Sequence, residues 1–115
     1  DAWKMAMQLA KECYRVTGVF PKSEQYVLVQ QIHRAAVSVA SNLAEGNARR
    51  TRQAYIHHID ISIGSLAELE TQIALAVELN FVSQQEAKAA SDLAGHTGRL
   101  LVGLVHALET SQAAS

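Results

Sequence analysis

The chain has 115 residues, 49% hydrophobic and 18% charged, the composition of one folded domain rather than of a disordered segment. One Pro and six Gly are too few turn signals for a sandwich or a barrel, and the single cysteine, Cys13, excludes an internal disulfide and a cysteine-based zinc site. The net charge of −1 hides a split, with eight Lys/Arg against four Asp/Glu in residues 1–59 and two against seven in residues 60–115.

The first helix is predicted over 2–17, where Trp3, Met7, Ala10, Tyr14 and Thr17 recur at helical spacing and Ala6, Leu9, Cys13 and Val16 widen the apolar face. Gly18 sits where a left-handed cap is expected, and Pro21 breaks the pattern. Ser23 is the expected N-cap of a second helix over 24–45, with Leu28, Ile32, Val39 and Leu43 as its stripe and Gly46 as its terminal cap. Small residues crowd its second half, so a neighbour can approach closely.

Thr51 is the expected cap of the third and longest helix, 52–79. Two overlapping stripes run along it, Tyr55-Ile59-Leu66-Leu69-Ile73-Ala76 and Ile56-Ile59-Ile63-Leu66-Ile73-Val77. A helix apolar on more than one side is buried on more than one side, which points to an oligomer. Asn80 ends it. Ser83-Gln84-Gln85-Glu86 reads as a capping box for a fourth helix over 84–109, with fraying expected from Thr110. Its stripe is Ala90, Leu93, Ala94 or Thr97, Leu100 or Leu101, Leu104 and Leu108, and Gly98 inside this helix is read as a close-approach site.

Short connections make these helices antiparallel neighbours in an all-α, up-down-up-down four-helix bundle forming a single domain over 1–115. The core is expected at Trp3, Leu9, Leu28, Ile32, Val39, Leu43, Ile59, Leu66, Ile73, Leu93, Leu100 and Leu104. No apolar run approaches the roughly 20 residues of a membrane span. No signal peptide is visible either, so a cytoplasmic location is expected.

Little of the sequence carries chemistry. His57 and His58 are adjacent, so they diverge by about 100° on a helix. The Glu-x-x-His pairs of bundle metal sites are absent, and His33 has no partner in sequence, so no metal or cofactor is expected. Cys13 reads as a small buried hydrophobe. Ser38, Ser41, Ser62 and Ser65 lack a strand-turn-helix elbow, and no glycine-rich phosphate loop exists. Neither an enzyme nor a small-molecule substrate is indicated. An acid/base role for Glu68 and Glu70 is the weakest reading. The stronger one joins Arg34, Asn42, Glu45, Glu68 and Glu70 in a structural polar network, because Glu70 falls on the core stripe and needs a partner there.

Arg49, Arg50 and Arg52 form the one cluster suited to polyanions, since guanidinium groups bind phosphates bidentately. The alternative is a solvated loop whose arginines pair with Glu45 or a neighbouring subunit. The charge split allows the same two readings, and a sequence pI near 6.6 favours halves that pair with each other, within the bundle or across an oligomer.

Three stretches together resemble a known family. They are Phe20-Pro21-Lys22-Ser23-Glu24-Gln25-Tyr26-Val27-Leu28, the run from Gln31-Ile32-His33-Arg34 to Asn42-Leu43-Ala44-Glu45-Gly46, and Gly64-Ser65-Leu66-Ala67-Glu68-Leu69-Glu70-Thr71-Gln72. In this order, with Arg49-Arg50 between them, they resemble the proteins encoded by intervening sequences of bacterial 23S rRNA genes, the S23 group. The chain is more distantly similar to the accessory variability protein of retroelements. The resemblance implies a four-helix bundle assembled as a homopentamer and no established enzymatic activity. In the retroelement branch it implies partners that are nucleic acid and a nucleic-acid-processing protein. This chain departs from the pattern in having Ala40 for a Pro, His33 for an Arg, and Asn47-Ala48 for an aromatic-Gly pair. The expectation is therefore an oligomeric scaffold touching RNA or such a protein through Arg49, Arg50 and Arg52, the alternative being a scaffold for proteins alone.

Overall fold

The computed structural model describes residues 1–114. Four helices, α1 (Ala2–Thr17), α2 (Leu28–Asn47), α3 (Arg52–Glu78) and α4 (Gln84–Ala114), account for nearly all of it. Each packs on the next, and α4 closes the square against α1. The result is a four-helix bundle 52 Å long and about 20 Å across.

The helix ends follow from local chemistry. Asp1 accepts from the amides of Trp3 and Lys4 and so caps α1. Thr51 Oγ1 accepts from the Ala54 amide at 3.1 Å. Ser83 and Glu86 exchange both bonds of the expected capping box, at 2.9 and 3.0 Å. The end of α3 is a Schellman turn. Asn80 takes a left-handed φ of 63°, its amide bonds Val77, and the Phe81 amide reaches back to Ala76.

Four expectations change. Gly18 caps α1 in the right-handed region, at φ −61°. Residues 22–24 form a single 3-10 turn, so Ser23 caps nothing and α2 starts only at Leu28. Gly46 lies buried inside α2, which runs on to Asn47. Finally, α4 continues to Ala114, past the expected fraying from Thr110; Ser115 lies outside the described residues.

The core is correct along α2 and α3, where Leu28, Ile32, Val39, Leu43, Ile59, Leu66 and Ile73 are buried, as is Leu9 on α1. It is rotated on the outer two helices. On α1 the widening set Ala6, Leu9, Cys13 and Val16 faces inward, and Trp3 is exposed. On α4 the inward residues are Ala87, Ala90, Ala94, Thr97 and Leu101, while Leu100 is exposed and Leu93 and Leu104 are half-buried. Small side chains let α4 lie close to α3: a Cβ added at Gly98 would stand 3.2 Å from Leu66 Cδ2. Proximity, more than side-chain size, decides which face is buried.

Candidate functional site

Arg49 and Arg50 lie in the link between α2 and α3 and Arg52 is the first residue of α3, so all three are exposed at one end of the bundle. Arg49 approaches Glu45 at 3.7 Å, a loose contact between two half-exposed side chains that contributes little. Among the described residues, Arg50 and Arg52 form no ion pair. The start of α3 adds its own partial positive charge to this end. Three cations with little local neutralisation attract anions.

Beside this cluster a polar ladder joins α2 to α3. Asn42 Nδ2 donates to the Ser38 carbonyl at 3.0 Å and to Ser38 Oγ at 3.1 Å. Its carbonyl oxygen therefore accepts from His58 Nδ1, 3.2 Å away, so that nitrogen carries the proton. Glu45 Oε2 stands 3.3 Å from the same nitrogen. Ser38 and Ser65 hydroxyls meet at 2.8 Å, and buried Ser62 donates to the Val39 carbonyl at 2.9 Å. The contact is close because of Gly46, whose added Cβ would fall 2.7 Å from His58 Cβ.

Two of the five residues expected in this network, Asn42 and Glu45, belong to it. Arg34, Glu68 and Glu70 do not. All three are exposed, and among the described residues none forms an ion pair. Glu70 sits at the edge of α3, lining an open groove against α4, so its carboxylate stays in water and needs no buried partner. His58, Ser38, Ser62 and Ser65 went unrecognised. The signal for them is a matched spacing: 38, 42 and 45 on α2 and 58, 62 and 65 on α3 are both polar stripes at steps of four and three.

A second polar contact ties α1 to α2 at the opposite end. The Thr17 hydroxyl lies 3.1 Å from the Tyr14 carbonyl and shares a hydrogen bond of 2.8 Å with His33 Nε2. The imidazole stacks on the Tyr14 ring at 3.7 Å. Loss of solvation holds the His33 pKa below the ordinary histidine value. Burial pushes the Cys13 thiol up to about 12, which leaves it protonated and unreactive at neutral pH. Among the described residues no three His, Cys, Asp or Glu side chains cluster to hold a metal ion, and no helix is long and apolar enough to cross a membrane.

The sequence matches the 23S rRNA-intervening sequence protein family over residues 1–103. The fold is similar to the crystal structure of a protein of unknown function from the S23 ribosomal protein family of Bacteroides thetaiotaomicron. That similarity has a TM-score of 0.84 at 15% identity and covers 91% of this chain and 98% of the other. No protein with a curated description matches.

Proposed function

The chain belongs to the 23S rRNA-intervening sequence protein family, and from that premise we propose that it is a non-enzymatic homo-oligomeric scaffold that contacts RNA or a nucleic-acid-processing protein. The observation that carries the RNA contact is the exposed cluster Arg49, Arg50 and Arg52 at the start of α3. Assembly, with a pentamer as the state the family resemblance implies, would repeat the cluster around a ring. Weak contacts then add through effective concentration. Self-association itself is supported by large apolar side chains left in solvent, among them Trp3, Met7, Tyr14 and Val37. A scaffold for proteins alone is the second reading, favoured by the Arg49–Glu45 contact and the acidic second half of the chain.

A titration with a structured RNA at about 50 and about 200 mM salt separates the two readings. Three neutralised phosphates predict roughly a 20- to 40-fold loss of affinity over that range. Replacing Arg49, Arg50 and Arg52 together by Ala should abolish that salt-sensitive affinity with the oligomer intact. Equal binding by the triple variant, or no binding by the wild type at low salt, contradicts the RNA contact.

A further inference from the structure

One carboxylate oxygen connects the polar ladder to the arginine cluster. Glu45 Oε2 stands 3.7 Å from Arg49 Nη2 and 3.3 Å from His58 Nδ1. Its two partners differ in when they are charged. Arginine is a cation throughout, whereas histidine ordinarily gains its charge between about pH 8 and pH 5. The His58 ring is buried, so its charge acts on Glu45 with little screening by solvent. The Glu45 side chain is half-exposed and its contact with Arg49 is loose, so a small bias moves it.

The ladder lets His58 take up a proton without rearranging. Nδ1 already carries the hydrogen given to Asn42, so the second proton arrives at Nε2 and the Asn42 bond stays. The charged ring then presents its Nδ1–H to Glu45. From α2, Glu45 faces the ring, with Arg49 behind it. On α3, His57 meets it with ring centres 5.7 Å apart, and Tyr55 lies one turn earlier. At this end α4 brings His106 and Glu109, and α1 begins with Asp1 and Lys4; among the described residues none of these four pairs with His58. We propose that His58 is a proton switch on the arginine cluster: at neutral pH Glu45 offsets Arg49, and on acidification the imidazolium draws Glu45 away and frees Arg49 for phosphate. The switch rests on the RNA contact proposed above and adds its regulation. Three guanidinium groups less the Glu45 carboxylate carry a formal charge of +2, and protonated His58 makes it +3. One added charge about 4 to 10 Å from a phosphate in water raises affinity about two- to five-fold.

Binding of a structured RNA at about 50 mM salt, measured at about pH 8 and about pH 5.5, tests the switch. The wild type should bind about two- to five-fold tighter at the lower pH. His58→Gln should match the wild type at the higher pH and lose the rise. His57→Gln, at the exposed neighbour, should keep it. Glu45→Gln should bind at the higher pH as tightly as the wild type does at the lower, because both carry a formal +3. That variant alters a half-exposed side chain, so it reports on the switch even where loss of His58 disturbs the fold. Circular dichroism checks the helices of each variant. Wild-type binding at neither pH overturns the RNA contact itself. Equal binding at both, a rise that His58→Gln keeps or His57→Gln loses, or a Glu45→Gln variant no tighter than the wild type at the higher pH overturns the switch alone.

Discussion

His58 shows how much a single side chain here depends on its neighbours. Its ring is held between Asn42 and Glu45, and it sits there only because Gly46 leaves room. Replacing Asn42 by Ala strips three bonds from the ladder and should cost about 1–3 kcal/mol in denaturant unfolding. The two glycines Gly46 and Gly64 make an internal control. Both lie inside helices, where Gly→Ala should stabilise by up to about 1 kcal/mol. At Gly64 nothing lies within 4 Å of an added Cβ, so Gly64→Ala should gain that amount. At Gly46 overpacking against His58 should reverse the sign, with a loss of about 1–3 kcal/mol. The same unfolding series should show Glu70→Gln within about 0.5 kcal/mol of wild type, since that carboxylate is in solvent.

Two titrating groups give the stability a pH dependence with a definite sign. His33 has a lowered pKa in the fold. The unfolded chain therefore binds a proton first as pH falls below the ordinary histidine value, and stability drops until the pH passes the lowered folded value. His33→Gln should flatten this part of the curve. Glu86 is held below the ordinary carboxylate range by the Ser83 amide and hydroxyl. Its contribution is complete above the ordinary glutamate value and is lost as the pH falls through the lowered one.

Among the elements, the helix ends written in side-chain chemistry were the most legible. Thr51 and the Ser83–Glu86 box act as their sequence implies. Asn80 stops α3 because it tolerates the left-handed conformation. Asn80→Gly should leave stability level or raise it slightly, whereas Asn80→Val should cost about 1–2 kcal/mol in thermal unfolding. The start of α2 was harder to read. Ser23 looks like a cap, yet the chain spends 22–24 on a 3-10 turn and leaves Tyr26 and Val27 in solvent before α2 begins. Periodicity located the α2 and α3 cores because large side chains mark them. On α4 the spacing already offers Ala90, Ala94, Thr97 and Leu101, all of them buried, and only the preference for the larger Leu93, Leu100 and Leu104 as core fails. Size marks where large residues lie. Where backbones approach closely, alanine holds the inner face and size misleads. The ladder was half legible for a related reason. Asn42 and Glu45 stand out singly, but His58 and the serines gain meaning only when the register of α2 on α3 is known.

At the scale of the molecule, a narrow bundle leaves both the Trp3-Met7-Tyr14 face of α1 and the α3/α4 groove open. One copy of the chain cannot cover either surface. In the proposed assembly, repetition of the chain would gather the Arg49-Arg50-Arg52 clusters into one array. Assembly is thus the premise on which the scaffold reading and its RNA contact both depend. Native mass spectrometry at micromolar concentration counts the chains directly. A charge-state series at five times 12.5 kDa is the predicted result, and a series at 12.5 kDa alone would contradict the account.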